Sequence, residues 1–367
     1  MKTVLVVGAG GYFGSLLVEE LLKYSDCHIL LGARQSRPLE DVQRRWPEPW
    51  RQRTEIVEVD LNVPASIARC LGRVQIAICA AGPFQRLPHT LLLSCLQNNI
   101  HYIDLADSRS FVREAHKLLE ECTMAVKPVV CSGWSAVPAL SALLVDLAAQ
   151  SMEDIERIRI QIAPGNRAPR SYGTVASLFD SVGMPFQLWR AGQWSTVSGW
   201  SQPADFAFPS PVGRRSGYLV DVPDLELFPT LFNASTVEFR VGAEVALFNQ
   251  GCSFLAALAR AGLVRGWSRW ASVLQKTMVL TGSFGHDWGA VGVECLGTRD
   301  GQSVRRKACV VAAHNGHYIP VMPAVVMCQK LVSGETMAPG LLGLRQWLGQ
   351  DQLAAECNRR SYRLVVD

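Results

Sequence analysis

The sequence predicts a doubly wound parallel α/β sheet over residues 1–150, followed by a second, α+β domain with an antiparallel sheet. Three observations carry that expectation. Six short apolar segments recur through the first 150 residues, helical patterns lie between them, and after residue 150 the periodicity changes to longer alternating segments. A chain of 367 residues suits two domains, and 49% hydrophobic against 19% charged residues supplies a large core.

The strand candidates are residues 3–7, 28–31, 55–59, 74–79, 101–105 and 128–132, all rich in Val, Ile and Leu. Unbroken apolar runs of that length suit strands covered on both faces. Residues 13–24 carry Leu16, Leu17, Leu21 and Leu22 at helical spacing, and residues 89–97 carry a leucine-rich face. Residues 108–122 open on Ser108 as an N-cap and repeat Phe111, Ala115, Leu118 and Leu119. Beyond them, residues 155–163 alternate like a strand with one exposed face. Residues 291–296 and 304–312 flank Thr298-Arg299-Asp300-Gly301, a hairpin signal. Residues 320–332 read as a late helix stopped by Gly334.

The net charge of +4 makes no case for nucleic acid. Eleven scattered cysteines without a C-x-x-C pair read as reduced thiols of a cytoplasmic protein, and no metal site is expected. The first residues lead into a strand rather than a signal peptide. No apolar stretch is long enough to predict a transmembrane helix; the nearest, residues 245–264, reads as a core or pocket-lining helix, and peripheral membrane contact stays open.

Between the first strand and first helix stands Gly8-Ala9-Gly10-Gly11-Tyr12-Phe13-Gly14. Gly8 suits a tight turn, Gly10 or Gly11 admits a pyrophosphate to the backbone, and Gly14 lets helix and strand approach. Phe13 occupies the last glycine position of the strict G-x-G-x-x-G spacing, so the usable pattern is Gly8-x-x-Gly11-x-x-Gly14. Strand, glycine loop and helix together predict a dinucleotide-binding, Rossmann-type unit. NAD sites place a carboxylate at the end of the second strand; here the chain reads Leu31-Gly32-Ala33-Arg34, then Arg37. A guanidinium there suits a 2′-phosphate, so NADP(H) is expected ahead of NAD. Asp60, ending the third strand, is an adenine-ring neighbour by position.

Three further segments are Ala80-Ala81-Gly82-Pro83-Phe84, Tyr102-Ile103-Asp104-Leu105-Ala106-Asp107 and Ser132-Gly133-Trp134-Ser135-Ala136-Val137-Pro138. With the glycine loop they resemble the saccharopine dehydrogenase-like oxidoreductases, which show G-P-[FY], Y-[IL]-D and G-[FW]-x-[SA]-x-P after or on the fourth, fifth and sixth strands. Looser similarity continues at residues 218–227, at Thr236-Val237-Glu238-Phe239-Arg240 and at Met337-Ala338-Pro339-Gly340. The resemblance implies a cofactor domain at 1–150, a substrate and dimerisation domain at 151–313, and a segment 314–367 whose helix returns to the first domain. It implies a homodimer and hydride transfer between nicotinamide and a C=N or conjugated C=C bond of a small molecule. One branch comprises trans-acting enoyl reductases of lipid or polyketide synthesis. Ser135 and Ala136 stand where that branch has Asp and Ser. A reading of another class is a catalytically silent NADP-binding scaffold or redox sensor.

The cofactor candidates are therefore Gly8, Ala9, Gly10, Gly11, Tyr12, Phe13, Gly14, Arg34, Asp60, Ala80, Ala81, Gly82, Pro83 and Gly133. Trp134 is a candidate wall for the nicotinamide, with core as the alternative. Asp104, inside an apolar strand, reads as a structural anchor, and Asp107, at the strand's mouth, as the pocket carboxylate. Proton donors by position are His89 first, then Asp107, Tyr12, Tyr172 and His314. Trp189, Trp194, Trp200, Phe206, Phe208, Leu255, Leu258 and Leu263 either line an apolar pocket or form core. Arg167, Arg170, Arg214, Arg215 and Arg240 could hold a substrate carboxylate.

Overall fold

The computed structural model describes residues 1–122, 128–167, 179, 181–264, 267 and 285–367. The chain forms two compact units: Met1–Ala136 with Pro320–Gly343, and Val137–Ile319 with Leu344–Asp367.

In the first unit the six expected strands are β1 (Lys2–Val7), β2 (Cys27–Ala33), β3 (Thr54–Glu58), β4 (Ile76–Cys79), β5 (His101–Asp104) and β6 (Val129–Cys131). The sheet runs β6-β5-β4-β1-β2-β3, all parallel, and the two-residue strand Gly340–Leu341 extends it beyond β6. Crossover helices include α1 (Tyr12–Tyr24), α2 (Arg37–Gln43), α3 (Glu48–Arg51), α4 (Pro64–Leu71), α5 (Thr90–Gln97) and α6 (Arg109–Glu120). β4 is buried along its whole length, which is why its sequence shows no alternation. The late helix Met322–Ser333 ends at Gly334 in the left-handed region, as expected. Its C-terminal turn lies against the start of the chain, where Lys2 Nζ donates to the Leu331 carbonyl at 2.6 Å.

The strand order reverses between β1 and β4, so the loops after these two strands flank a crevice at their carboxyl ends. In open α/β sheets that crevice is where ligands bind.

The second unit is built on β7 (Asp154–Pro164), β8 (Pro185–Arg190), β9 (Gln193–Ser198), β10 (Ala204–Ala207), β11 (Arg214–Leu219), β12 (Thr236–Val241), β13 (Gly289–Arg299) and β14 (Gln302–Ala312). Its main sheet runs β10-β11-β12-β7-β13-β14 and closes on Tyr362–Val366, with β8 and β9 as a separate hairpin. The sheet is mixed rather than purely antiparallel, because β12 lies parallel to β7 while the other pairs are antiparallel. The β13–β14 hairpin turns on Asp300 and Gly301, with φ of 51° and 72°. Two positive φ values make the primed turn that an Asp-Gly pair favours.

The helix Ala246–Arg260 buries Asn249, Cys252 and Ala256 and leaves Leu247 and Phe254 exposed. Among the described residues, no helix is long and apolar enough to cross a membrane.

Candidate active site

The glycine loop separates into glycines the protein needs and one it does not. Gly8 has φ of +87°, and a Cβ there would meet the Ala81 backbone nitrogen at 2.6 Å. A Cβ on Gly14 would lie 2.0 Å from the Gly8 carbonyl oxygen, so the first turn of α1 touches the loop only because both are glycine. A Cβ on Gly10 would meet only the Leu39 side chain, at 3.4 Å, an ordinary contact. Gly10 and Gly11 are exposed, Tyr12 and Phe13 half-buried, and Ala9 is buried.

The N-terminus of α1 has no side-chain cap and no acidic residue in its first turn. Its leading N–H groups have no intrahelical acceptor and carry the positive end of the helix dipole. A diphosphate fits that end, and Gly10 and Gly11 leave its approach clear.

Arg34 follows β2 directly, and Arg34 and Arg37 are both exposed. Neither makes a hydrogen bond or ion pair within the described residues. At the end of β3, Asp60 Oδ1 accepts the Asn62 backbone N–H at 2.9 Å and its side-chain amide at 3.1 Å. That oxygen closes a local turn. After β4, Ala80 donates its N–H to Val7, tying the two crevice strands together. Gly82 is exposed with open space around its Cα, and Ala81 and Pro83 are half-buried.

The loops after β5 and β6 are held by Asp104. It is fully buried; Oδ1 accepts the N–H of Ala106 at 3.0 Å and of Gly133 at 2.7 Å, and Oδ2 accepts the Ser132 hydroxyl at 2.8 Å. Burial pushes its carboxyl up to about 6, against those hydrogen bonds, which pull it down.

This arrangement bears on two of the candidates. Gly133 is buried and its N–H is committed to Asp104, so it offers no donor to a ligand. Trp134 is fully buried, so it is core rather than a wall for a nicotinamide ring.

Asp107, three residues beyond Asp104, is exposed. The surrounding protein nevertheless displaces enough water to raise its carboxyl above the ordinary range. His89 immediately precedes α5, with its ring on Phe111 at 4.1 Å, and Phe111 in turn meets Phe84 edge-on at 5.1 Å. Burial holds the imidazole below its usual range, and its Nδ1 is enclosed without a hydrogen-bond partner.

In the second unit the aromatic residues do not gather at one pocket. Trp200 belongs to a core cluster with Phe179, Tyr218 and Cys252, and Phe206 and Phe208 belong to another with Val212 and Cys309. Trp189 donates to the Ala234 carbonyl, whereas Trp194 and Leu263 are exposed. Arg240 is buried in an ion pair with Glu238 at 2.6 Å, and Arg214 pairs with Asp205 at 2.8 Å. His314 contacts Asp287 at 3.2 Å on the surface. Arg170 and Tyr172 lie outside the described residues.

One arrangement escaped the sequence reading. Glu244 Oε1 meets His286 Nδ1 at 2.6 Å, and Glu244 Oε2 accepts the N–H groups of Asn166 and His286. The imidazole stacks on Trp288, over which the Arg215 guanidinium sits at 5.6 Å. The carboxylate thus orients an exposed imidazole, a pairing able to carry a proton. Nothing in the sequence links residues 42 positions apart. Among the described residues there is no group of three or more His, Cys, Asp or Glu able to hold a metal ion.

No family model matches the chain. A stretch of 139 residues is similar to the trans-acting enoyl reductase of Mycobacterium leprae, 27% identical, covering 37% of this chain and 33% of that protein. A Mycobacterium tuberculosis protein bearing the same activity in its name is 24% identical over 139 residues, with the same coverage. The chain spans about a third of the length of these relatives. In structure, it is similar to saccharopine dehydrogenase (L-Glu forming) from Saccharomyces cerevisiae, with a TM-score of 0.68 at 13% identity over 100% of this chain and 99% of that one. The chain has the saccharopine dehydrogenase fold.

Proposed function

We propose that this protein is an NADP(H)-dependent oxidoreductase that moves hydride between nicotinamide and a C=N or conjugated C=C bond of a small molecule. The observation that carries the reading is the pairing of an uncapped α1 N-terminus with two arginines at the end of β2 that have no partner among the described residues. The first suits a diphosphate; the second suits a 2′-phosphate where an NAD site would hold a carboxylate.

Gly10, Gly11 and the first turn of α1 would hold the diphosphate, with Arg34 and Arg37 on the 2′-phosphate. Asp60 and the residues Ala80–Ala81–Gly82–Pro83 would border the crevice. A bound nicotinamide supplies the hydride. Asp107, exposed and shifted upward, holds or releases the proton that balances it. Asp104 positions the loops and stays out of the chemistry.

Similarity to enoyl reductases over 37% of the chain favours a conjugated C=C acceptor on a lipid or polyketide intermediate as the second reading. Buried free thiols at nine of eleven cysteines suit a reducing compartment, and we assign the protein to the cytoplasm, as a homodimer.

The test is titration of the protein with NADPH and NADH, followed by NADPH oxidation with imine and enone panels. Tighter NADPH binding and turnover with one panel are expected. Equal affinity for both cofactors defeats the cofactor assignment. Tight binding with no turnover on either panel favours the silent scaffold.

A further inference from the structure

We propose that two copies of this chain join edge to edge through the strand Tyr362–Val366, continuing the second unit's sheet across a twofold axis. The strand ends the sheet: one side pairs with β14, and the other has no strand beside it among the described residues. Edge strands are usually blunted with charged side chains, Pro or a bulge. This one, Tyr362-Arg363-Leu364-Val365-Val366, has neither Pro nor a bulge, and its one charge is Arg363.

The ladder fixes which groups face outward. Asp367 donates its N–H to Lys307, so Asp367, Val365 and Arg363 use their backbone groups inward, against β14. In an antiparallel pair, inward and outward residues alternate. Leu364 and Val366 therefore present N–H and C=O to the open side.

A second copy can use those groups only in certain registers, and one of them also matches charge. With Val365 opposite its symmetry mate, Leu364 exchanges hydrogen bonds with Val366 of the other copy. Arg363 then lies across from Asp367, twice by symmetry and on one face. Shifting the register by two residues in either direction puts Arg363 or Asp367 opposite Val365. Asp367 has no ion pair within the described residues, and Arg363 contacts only the Ser210 carbonyl. Charge and hydrogen-bond parity select the same register, and the occupant they select is a second copy.

Sedimentation of the full chain tests this. The wild type should be a dimer. Arg363→Glu and Asp367→Arg should each weaken association at least tenfold, and the double reversal should restore it. The Ser210 contact is lost in the single and double variants at position 363 alike, so it cannot produce rescue. Leu364→Pro removes an outward donor while sparing the inward ladder, and should give a monomer with an unchanged far-UV circular dichroism spectrum. A monomeric wild type, or a dimer indifferent to these changes, overturns the proposal.

Discussion

The carboxyl of Asp104 accepts the backbone N–H of Gly133 at 2.7 Å, joining the end of β5 to the loop after β6. The same side chain takes the Ser132 hydroxyl, while the Asp104 carbonyl accepts the Trp134 N–H at 2.7 Å. Three consecutive residues of one loop thus hang on a single aspartate of the neighbouring strand. Gly133 is in the left-handed region, with φ of +76°, where a side chain would be strained. The loop's sequence is thereby explained by its anchor.

Asp104 should make stability depend on pH in the unusual direction. Its folded carboxyl titrates near 6, against an ordinary 3.8. The folded state therefore favours the protonated form, and stability from this group is full below about pH 4 and lost as pH rises through 6. The shift corresponds to about 3 kcal/mol. Asp104→Asn keeps an acceptor for Gly133 and Ala106 and offers Ser132 a donor, without titrating. In urea unfolding, the wild type should lose stability relative to the variant between pH 4 and 7. A pH-independent difference would show that the buried carboxyl is not so shifted.

Gly10 and Gly14 should respond oppositely to alanine. At Gly14 the new methyl collides with the Gly8 carbonyl, so the loop must open and the thermal midpoint should fall. At Gly10 the methyl meets only the flexible Leu39 side chain, so the midpoint should hold. A diphosphate seated there would still be displaced, and NADPH affinity should drop roughly tenfold or more. Calorimetry of both variants separates the effects; undiminished NADPH binding in Gly10→Ala would remove the diphosphate from this loop.

What the sequence disclosed was local, and what it hid was tertiary. Asp300-Gly301 specifies its own primed turn, and β4 reveals its burial by lacking alternation. Gly334 stops its helix where expected. Trp134 misleads because its neighbours carry the loop motif, yet the role of its side chain depends on the enclosure it meets. The Gly133 donor is taken by an aspartate 29 residues earlier, a partner that no local pattern announces. Ser108 stands at the expected cap, but its hydroxyl meets Ser110 at 3.1 Å and makes no capping bond. No periodicity records the meeting of Glu244 with His286.

Arg34 should decide the choice between cofactors. Hydrogen bonds to a charged group contribute about 1.5–3 kcal/mol. Arg34→Ala should therefore weaken NADPH binding roughly ten- to hundredfold and leave NADH binding nearly unchanged. Arg37→Ala should act in the same sense, and the double variant should bind both cofactors alike. Parallel losses for NADPH and NADH would mean that Arg34 serves the loop or the diphosphate instead.

Asp107 and His89 make separable predictions about the proton. Burial lowers the His89 imidazole below its usual range and its ring lies tilted against Phe111, so His89→Phe should preserve that contact and leave kcat within about threefold. Asp107 is exposed with an upward-shifted carboxyl, so it keeps a proton to higher pH than an ordinary aspartate. In the reducing direction its protonated form donates, and the rate should fall as pH rises through that shifted value. Asp107→Asn should lower kcat by about 10²–10⁴-fold, abolish that limb of the pH profile and leave NADPH affinity intact. Should His89→Phe instead remove the limb while Asp107→Asn keeps it, the proton belongs to the imidazole.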